Sequence, residues 1–373
     1  MTQLWPIVIL SLMMALLSQR NSVQDSVTKE YIVKDRFWFT IMTIAMVLFV
    51  GLRTRYNDTR TYVRAYELMM QYSNPFDSIS WSIGDNFGFK FVDACMITLG
   101  VSSQSFLMIY ALVTVAIYVW FIRKYTENIP MSIFLLIMDG GYLFALAAIK
   151  QCIAIAFCLI ATDRAIEKKW GSFVIWILIA MTFHPYSFLY LVIPLLRFKP
   201  WTNKTYILIL AAAVGGVSLQ AMLGGIISMT SMMGETYTVS EMSGEGVNIF
   251  RVAVCWVPVV LSFCVRNRIQ NEDNPIQEIM LNLSMIRSVI MFIALFGTAN
   301  YFARLANYFA IFPCFSIPWL ISKFDFRDNK RVLTILAVIC YLIYFIYENA
   351  FSQPFDDLYS RVSLGEYVLS LFQ

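Results

Sequence analysis

The chain has 373 residues, of which 59% are hydrophobic, 16% aromatic and 14% charged. Soluble domains carry about 25% charged residues, so a mean hydropathy of +0.66 excludes a soluble globular enzyme and points to an all-α polytopic membrane protein forming one membrane domain. A net charge of +4 gives no basic face for nucleic acid. Seven scattered cysteines and a single histidine argue against a disulfide framework and a protein-only zinc site.

Apolar runs predict about twelve spans, with a lower bound of about ten. They cover residues 4–19, 37–52, 104–121, 131–148, 150–163, 170–183, 186–196, 205–225, 249–265, 280–298, 304–321 and 332–348. Residues 4–17 lack a basic leader and a small-residue cleavage pattern, so they read as the first span and not as a signal peptide. With the N-terminus outside, the loops 20–36, 122–130, 163–170, 197–204, 264–278 and 322–331 fall inside. Together they hold 18 of the 28 basic residues, as the positive-inside rule requires. Both termini then lie outside. The ten basic residues left over are Arg53, Arg55, Arg60, Arg64, Lys90, Lys150, Arg251, Arg287, Arg304 and Arg361. Orientation does not explain them.

Residues 53–103 form the longest hydrophilic interruption and are expected to be an outer loop with amphipathic helices. A helix from Asp58 would place Thr59, Tyr62, Tyr66 and Met69 on one face, with Arg60 and Arg64 on another. Asp58 or Thr59 would cap it. Gly/Asn/Pro/Ser-rich sequence follows, and residues 89–99 read as a short re-entrant or interfacial helix. Residues 226–248 read as a flexible outer loop, and 349–373 as an outer C-terminal tail.

Three constellations carry candidate chemistry. Arg53, Arg55, Arg60 and Arg64 suit phosphate or diphosphate, which guanidinium forks bind bidentately; lipid snorkelling or pairing with Asp58 and Glu67 is the plain alternative. Lys150, Arg287 and Arg304 lie within or beside apolar runs, where a cation normally faces a cavity or a partner such as Asp139. His184 precedes Pro185 at a broken span, a setting that often surrounds a binding site. It would donate to a hydroxyl or phosphate, remove a proton, or simply mark a kink. Phe76, Trp81, Phe87 and Phe89 would stack on sugar rings or form an interfacial belt.

Gly51-Leu52-Arg53, with Tyr56-Asn57-Asp58-Thr59 and Tyr62 after it, resembles the opening signature of the EpsG family of exopolysaccharide polymerases, distant relatives of Wzy O-antigen polymerases. Asn86-Phe87-Gly88-Phe89 is similar to that family's Glu-Pro-Gly-Phe segment. Lys150-Gln151-Cys152-Ile153-Ala154 resembles its Arg-Gln helix start. Phe183-His184 with Ser187, and Arg304 with Tyr308-Phe309, resemble two later segments. The likeness runs in order from about residue 45 to 321, with Lys150 in place of the usual arginine and no carboxylate at position 86.

The resemblance implies a helical bundle of the Wzy type in a bacterial inner membrane, with its active site facing the exterior. It would polymerise undecaprenyl-diphosphate-linked oligosaccharide repeat units into an exopolysaccharide, capsule or O-antigen. Arg53, Lys150 and Arg304 would neutralise the leaving diphosphate, joined by Arg55, Arg60, Arg64 and Arg287. Asp58 would orient Arg53, and His184 would activate or position the acceptor. Tyr62, Trp81, Phe89, Gln151 and Tyr308 would contact saccharide. No cofactor is required by this chemistry, although a divalent cation would be compatible with it. Partners would be membrane lipids, a flippase and a chain-length regulator. The rival readings are a flippase or transporter of lipid-linked saccharide, a membrane acyltransferase that modifies glycans, and an enzymatically silent assembly component.

Overall fold

The computed structural model describes residues 1–373 except 21, 22, 25–30, 33, 34, 235–237, 243–245, 298, 326 and 373. Lys29 and Lys34 of the 20–36 loop, and Glu235 and Glu245 of the 226–248 loop, lie outside the described residues. The chain is almost entirely helical and divides into two compact units. The first comprises Met1–Arg164, Lys169–Phe188 and Ile346–Gln373, and the second Ala165–Lys168 and Leu189–Phe345.

In the first unit, α1 (Trp5–Arg20) is followed by the short strands β1 (Val23–Gln24) and β2 (Tyr31–Ile32), then by α2 (Phe37–Gly51) and β3 (Arg53–Arg55). Next come α3 (Thr59–Met69), two 3-10 turns at Pro75–Ser78 and Ile83–Asp85, α4 (Phe87–Thr98) and α5 (Ser103–Tyr125). The unit continues through α6 (Ile129–Met138), α7 (Gly141–Ala147), α8 (Ile149–Ile166) and α9 (Trp170–Phe183). α2 packs on α1 and α5, and α6 packs on α1. A buried cluster of Tyr66, Phe89, Phe106, Tyr110, Ile153 and Phe183 joins α3, α4, α5, α8 and α9.

The C-terminal segment returns to this unit. A π-helical turn at Tyr347–Ser352 leads into a short helix at Phe355–Leu358 and strand Ser360–Arg361, and the chain closes with Leu364–Ser370. The Ser360–Arg361 strand pairs antiparallel with β3, Arg53 opposite Arg361. Phe355 and Tyr359 are buried, and the Tyr359 ring stacks on Phe49 at 4.9 Å. At the far end of α5, Asp163 is fully buried and accepts from the Lys124 ammonium, from Tyr125 Oη at 2.6 Å and from Arg164 at 2.6 Å.

The second unit opens on a 3-10 run at Pro185–Leu196 interrupted by Pro194, most of which lies in this unit. It continues with helices Asn203–Val217, Leu219–Met232, Val239–Met242, Ile249–Cys264 and Arg266–Asn271. Helices Pro275–Ile293, Ala299–Asn307, Pro313–Ser322 and Arg327–Ile346 complete it. Pro275–Ile293 is the hub, packing on Asn203–Val217, Ile249–Cys264, Ala299–Asn307 and Pro313–Ser322. Helix continues through Met232, so the first third of the expected 226–248 loop is regular.

The protein is a multi-pass membrane protein, but the expected count of about twelve spans is corrected. Among the described residues three helices are long and apolar enough to cross a membrane, Ser103–Tyr125, Pro275–Ile293 and Asp328–Ser352, or up to five if two bent pairs each count as one span. Six further apolar helices have 10–17 residues. At about 1.5 Å per residue they fall short of the roughly 20 residues a straight crossing needs. Most of the apolar runs are helical, but 4–19, 37–52 and 170–183 form helices too short for a straight crossing, and 131–148, 205–225 and 304–321 are each interrupted by a break. Gly140, at φ +81°, separates α6 from α7 with a 46° bend, and a left-handed residue ends a helix wherever glycine supplies it.

Candidate active site

The first unit contains a cavity of about 360 Å³ between α3, α4 and the start of α8, lined by Tyr62, Asn86, Phe89, Lys90, Asp93 and Lys150 among others. Its walls follow from local sequence. The 3.6-residue period buries Thr59, Tyr66 and Met69, which leaves Tyr62 half-buried on the flank that meets Phe89. The Tyr62 and Phe89 rings meet edge to face at 6.0 Å, and Phe89 stacks on Tyr110 at 5.0 Å. Lys150 Nζ lies 5.9 Å from the Tyr62 ring centroid, within cation–π range.

The start of α4 is held tightly. Asn86 takes a left-handed backbone (φ 53°, ψ 49°) and ends one 3-10 turn while starting α4. This is a strained place for a residue with a Cβ, though asparagine tolerates it better than most. Two residues on, a Cβ on Gly88 would stand 2.0 Å from Thr182 Oγ1. Only glycine lets α4 approach α9 this closely. Asn86 Oδ1 is buried without a hydrogen-bond partner among the described residues, and the residue lines the cavity.

Asp93, one helical turn past Lys90, is 5% exposed. It accepts a hydrogen bond from Tyr110 Oη at 2.9 Å. Burial pushes its carboxyl up to about 8, opposed by the Tyr110 hydrogen bond and by the charge of Lys150. α4 is not among the helices apolar and long enough to span. Asp93 is absent from the sequence-based candidates, whereas Lys90 appears there only as a basic residue that orientation leaves unexplained and Asn86 only within the family-like segment. The available signal was the single acidic residue in the otherwise apolar stretch 91–99.

The arginine cluster separates. Arg53 is 1% exposed, donating from Nη1 to the Val50 carbonyl at 2.5 Å and from Nε to Thr59 Oγ1 at 3.1 Å. The Thr59 hydroxyl in turn lies 2.7 Å from the Tyr56 carbonyl and 3.2 Å from the Leu146 carbonyl. Arg53 is thereby linked to the chain four residues before Lys150. Burial lowers its guanidinium to about 10, so it stays charged at neutral pH. Arg55 donates to the Asp357 carbonyl. Arg60 and Arg64 are exposed on α3. Asp58 stands at the N-cap of α3 without a side-chain capping bond.

His184 follows α9 in extended conformation, and its carbonyl accepts from Ser187 N at 3.1 Å and Ser187 Oγ at 2.8 Å. Its ring is 5.5 Å from that of Tyr186. Gln151 is buried beside Lys150, and Trp81 is 67% exposed with its ring 5.9 Å from Phe87. In the second unit Arg287 is buried in Pro275–Ile293, and Arg304 is exposed on Ala299–Asn307. Tyr308 is fully buried, its carbonyl accepting from Tyr190 Oη at 2.5 Å. Among the described residues no group of three or more His, Cys, Asp or Glu is placed to hold a metal.

The cavity thus combines two ammonium groups, three aromatic rings, an amide oxygen without a donor among the described residues and a carboxyl with raised proton affinity. Neither a curated protein nor a solved structure matches the chain. Residues 36–360 match the EpsG family, and the chain belongs to that family.

Proposed function

We propose that this protein polymerises undecaprenyl-diphosphate-linked oligosaccharide repeat units into an exopolysaccharide, capsule or O-antigen, by glycosyl transfer at the outer face of a bacterial cell membrane. Family membership supports a role in exopolysaccharide or O-antigen biosynthesis. The observation that carries the finer reading is the α3–α4–α8 cavity, where Lys90 and Lys150 stand beside Tyr62 and Phe89. Ammonium groups suit a diphosphate, and aromatic rings suit the apolar face of a pyranose.

In the reaction an acceptor hydroxyl oxygen forms a bond to the anomeric carbon of the growing chain. The bond from that carbon to the diphosphate breaks, and its electron pair leaves with the phosphate. Negative charge grows on the leaving group, so cations fixed in a partly desolvated cavity stabilise the transition state more than the ground state. The diphosphate is an activated leaving group, and a glycosidase-like pair of carboxylates is not needed.

Lys150 and Lys90 are assigned to the diphosphate, and Tyr62 and Phe89 to the saccharide. Arg53 acts as a positioning residue: both of its bonded donors are committed, and through Thr59 it steadies the approach to Lys150. Arg304, which the family resemblance ties to diphosphate binding, lies in the second unit and is not assigned to this cavity. A flippase would deliver the substrate, and a chain-length regulator would set polymer size.

The test is to delete the gene and separate lipid-linked intermediates from polymer. A polymerase leaves single repeat units on the outer leaflet and no long polymer. Units retained on the inner leaflet would identify a flippase, and unchanged polymer would refute both readings.

A further inference from the structure

The polymerase reading leaves open where the acceptor's proton goes, and His184 is not among the described residues lining the cavity. We infer that Asp93 takes up the proton of the attacking acceptor hydroxyl, while Asn86 Oδ1 fixes the acceptor by receiving a hydrogen bond from a neighbouring hydroxyl. This rests on the polymerase reading and deepens it: the Asn86–Asp93 side of the cavity becomes the acceptor subsite beside the Lys90 and Lys150 diphosphate site, and its ligand is a polyhydroxylated saccharide.

The geometry supports both roles. Asp93 reaches the cavity from the buried face of α4, and the Tyr110 hydroxyl is its hydrogen-bond partner among the described residues, engaging one of two carboxyl oxygens. Asn86 lies seven residues earlier, two helical turns away along α4 at about 1.5 Å rise per residue. Its buried oxygen has no donor among the described residues. A buried acceptor without a donor keeps its full desolvation cost, and a strained left-handed backbone adds to that cost. Strain and an orphaned acceptor in one residue facing a cavity are explained together by a ligand hydroxyl. An aliphatic or purely anionic ligand would supply no donor there.

The step balances. The acceptor O–H bond breaks as its oxygen joins the anomeric carbon, the proton passes to the Asp93 carboxylate, and the diphosphate leaves with the electron pair. Asp93 then returns the proton to solvent through the cavity.

The charged and titratable surroundings of Asp93 are few. Tyr110 on α5, Tyr62 and Tyr66 on α3, Lys90 on α4 and Lys150 on α8 face this cluster. Asp85 and Tyr72 also line the cavity, and Asp77 belongs to the 3-10 turn packed on α4. α9, also packed on α4, has no ionisable side chain within Trp170–Phe183. Burial raises the Asp93 carboxyl to about 8 and Lys150 opposes the rise, which sets the sign of the pH dependence. The base must be unprotonated, so turnover rises with pH through the Asp93 titration and then levels.

The experiment uses the full-length protein in proteoliposomes, with lipid-linked repeat units extracted from the deletion strain as probe. Asp93→Asn is expected to lower turnover by roughly 10²–10⁴-fold with little change in probe binding. Asp93→Glu restores part of it. Lys150→Met moves the rising limb to higher pH, and Tyr110→Phe does the same while keeping turnover on the plateau. The carbonyl stretch of a protonated carboxyl, followed by infrared difference spectroscopy, should titrate near pH 8 in the wild type and vanish in Asp93→Asn. Wild-type turnover with an unchanged pH profile in folded Asp93→Asn overturns the proton assignment and leaves the polymerase reading standing. A deletion strain with normal polymer overturns both.

Discussion

Asp93 and Asp163 are both buried carboxyls on helices of the first unit, and they have been given opposite surroundings. Asp163 is met by two cations and a phenol, Lys124, Arg164 and Tyr125. Asp93 is met by a neutral phenol at hydrogen-bond distance, and the charge of Lys150 lowers its proton affinity without cancelling the effect of burial. Compensated charge makes Asp163 a tie between the end of α5 and α8. Under-compensated burial makes Asp93 a group whose proton is easily held and given up, and it lines a cavity. The same side chain is architecture in one place and chemistry in the other, and the partners decide which.

Exchanging each carboxyl for its amide is the strongest way to break this comparison. Asp93→Asn should remove long polymer while the protein stays folded in the membrane. Asp163→Asn should instead lower the amount of folded protein, by thermal-melt and abundance assays. Its cost should sit toward the low end of the roughly 3–5 kcal/mol for breaking a buried pair, because the Lys124 and Arg164 side chains are about a third exposed. Equal loss of protein in both variants would erase the distinction.

Gly88→Ala comes next. The new Cβ meets Thr182 at 2.0 Å, and overpacking of this kind costs about 1–3 kcal/mol. α4 must shift away from α9, carrying Asn86, Phe89 and Asp93 with it, so turnover should fall more than abundance. Removing a Cβ at Asn86 has the opposite balance. Asn86→Gly relieves the left-handed backbone but deletes the orphaned acceptor. KM for the acceptor should rise about 2–10-fold, the worth of one hydrogen bond, with stability unchanged or slightly higher. An unchanged KM would remove Asn86 from the acceptor subsite.

Much of this architecture could be read from composition and period. The buried face of α3 with Thr59, Tyr66 and Met69 follows from helical spacing alone, and the membrane setting follows from hydropathy. Span number was less accessible. Hydropathy registers that residues 131–148 are apolar, but a single left-handed Gly140 turns that run into two helices. Arg53 looked like a ligand because it stands among polar residues, yet its setting depends on Thr59 and on Leu146, which is 93 positions away in sequence from Arg53 and touches Thr59 through its carbonyl. Asp93 was missed for a similar reason. Nothing beside it in sequence reveals the Tyr110 hydroxyl or Lys150, and its proton affinity arises only when α4, α5 and α8 close around it.

The most direct test of the central claim is the lipid-linked intermediate profile of cells whose sole copy carries Asp93→Asn, measured beside wild type and the gene deletion. The account predicts normal variant protein in the membrane, accumulation of single repeat units on the outer leaflet as in the deletion, and loss of long polymer. Wild-type polymer length and yield from folded Asp93→Asn protein would contradict it.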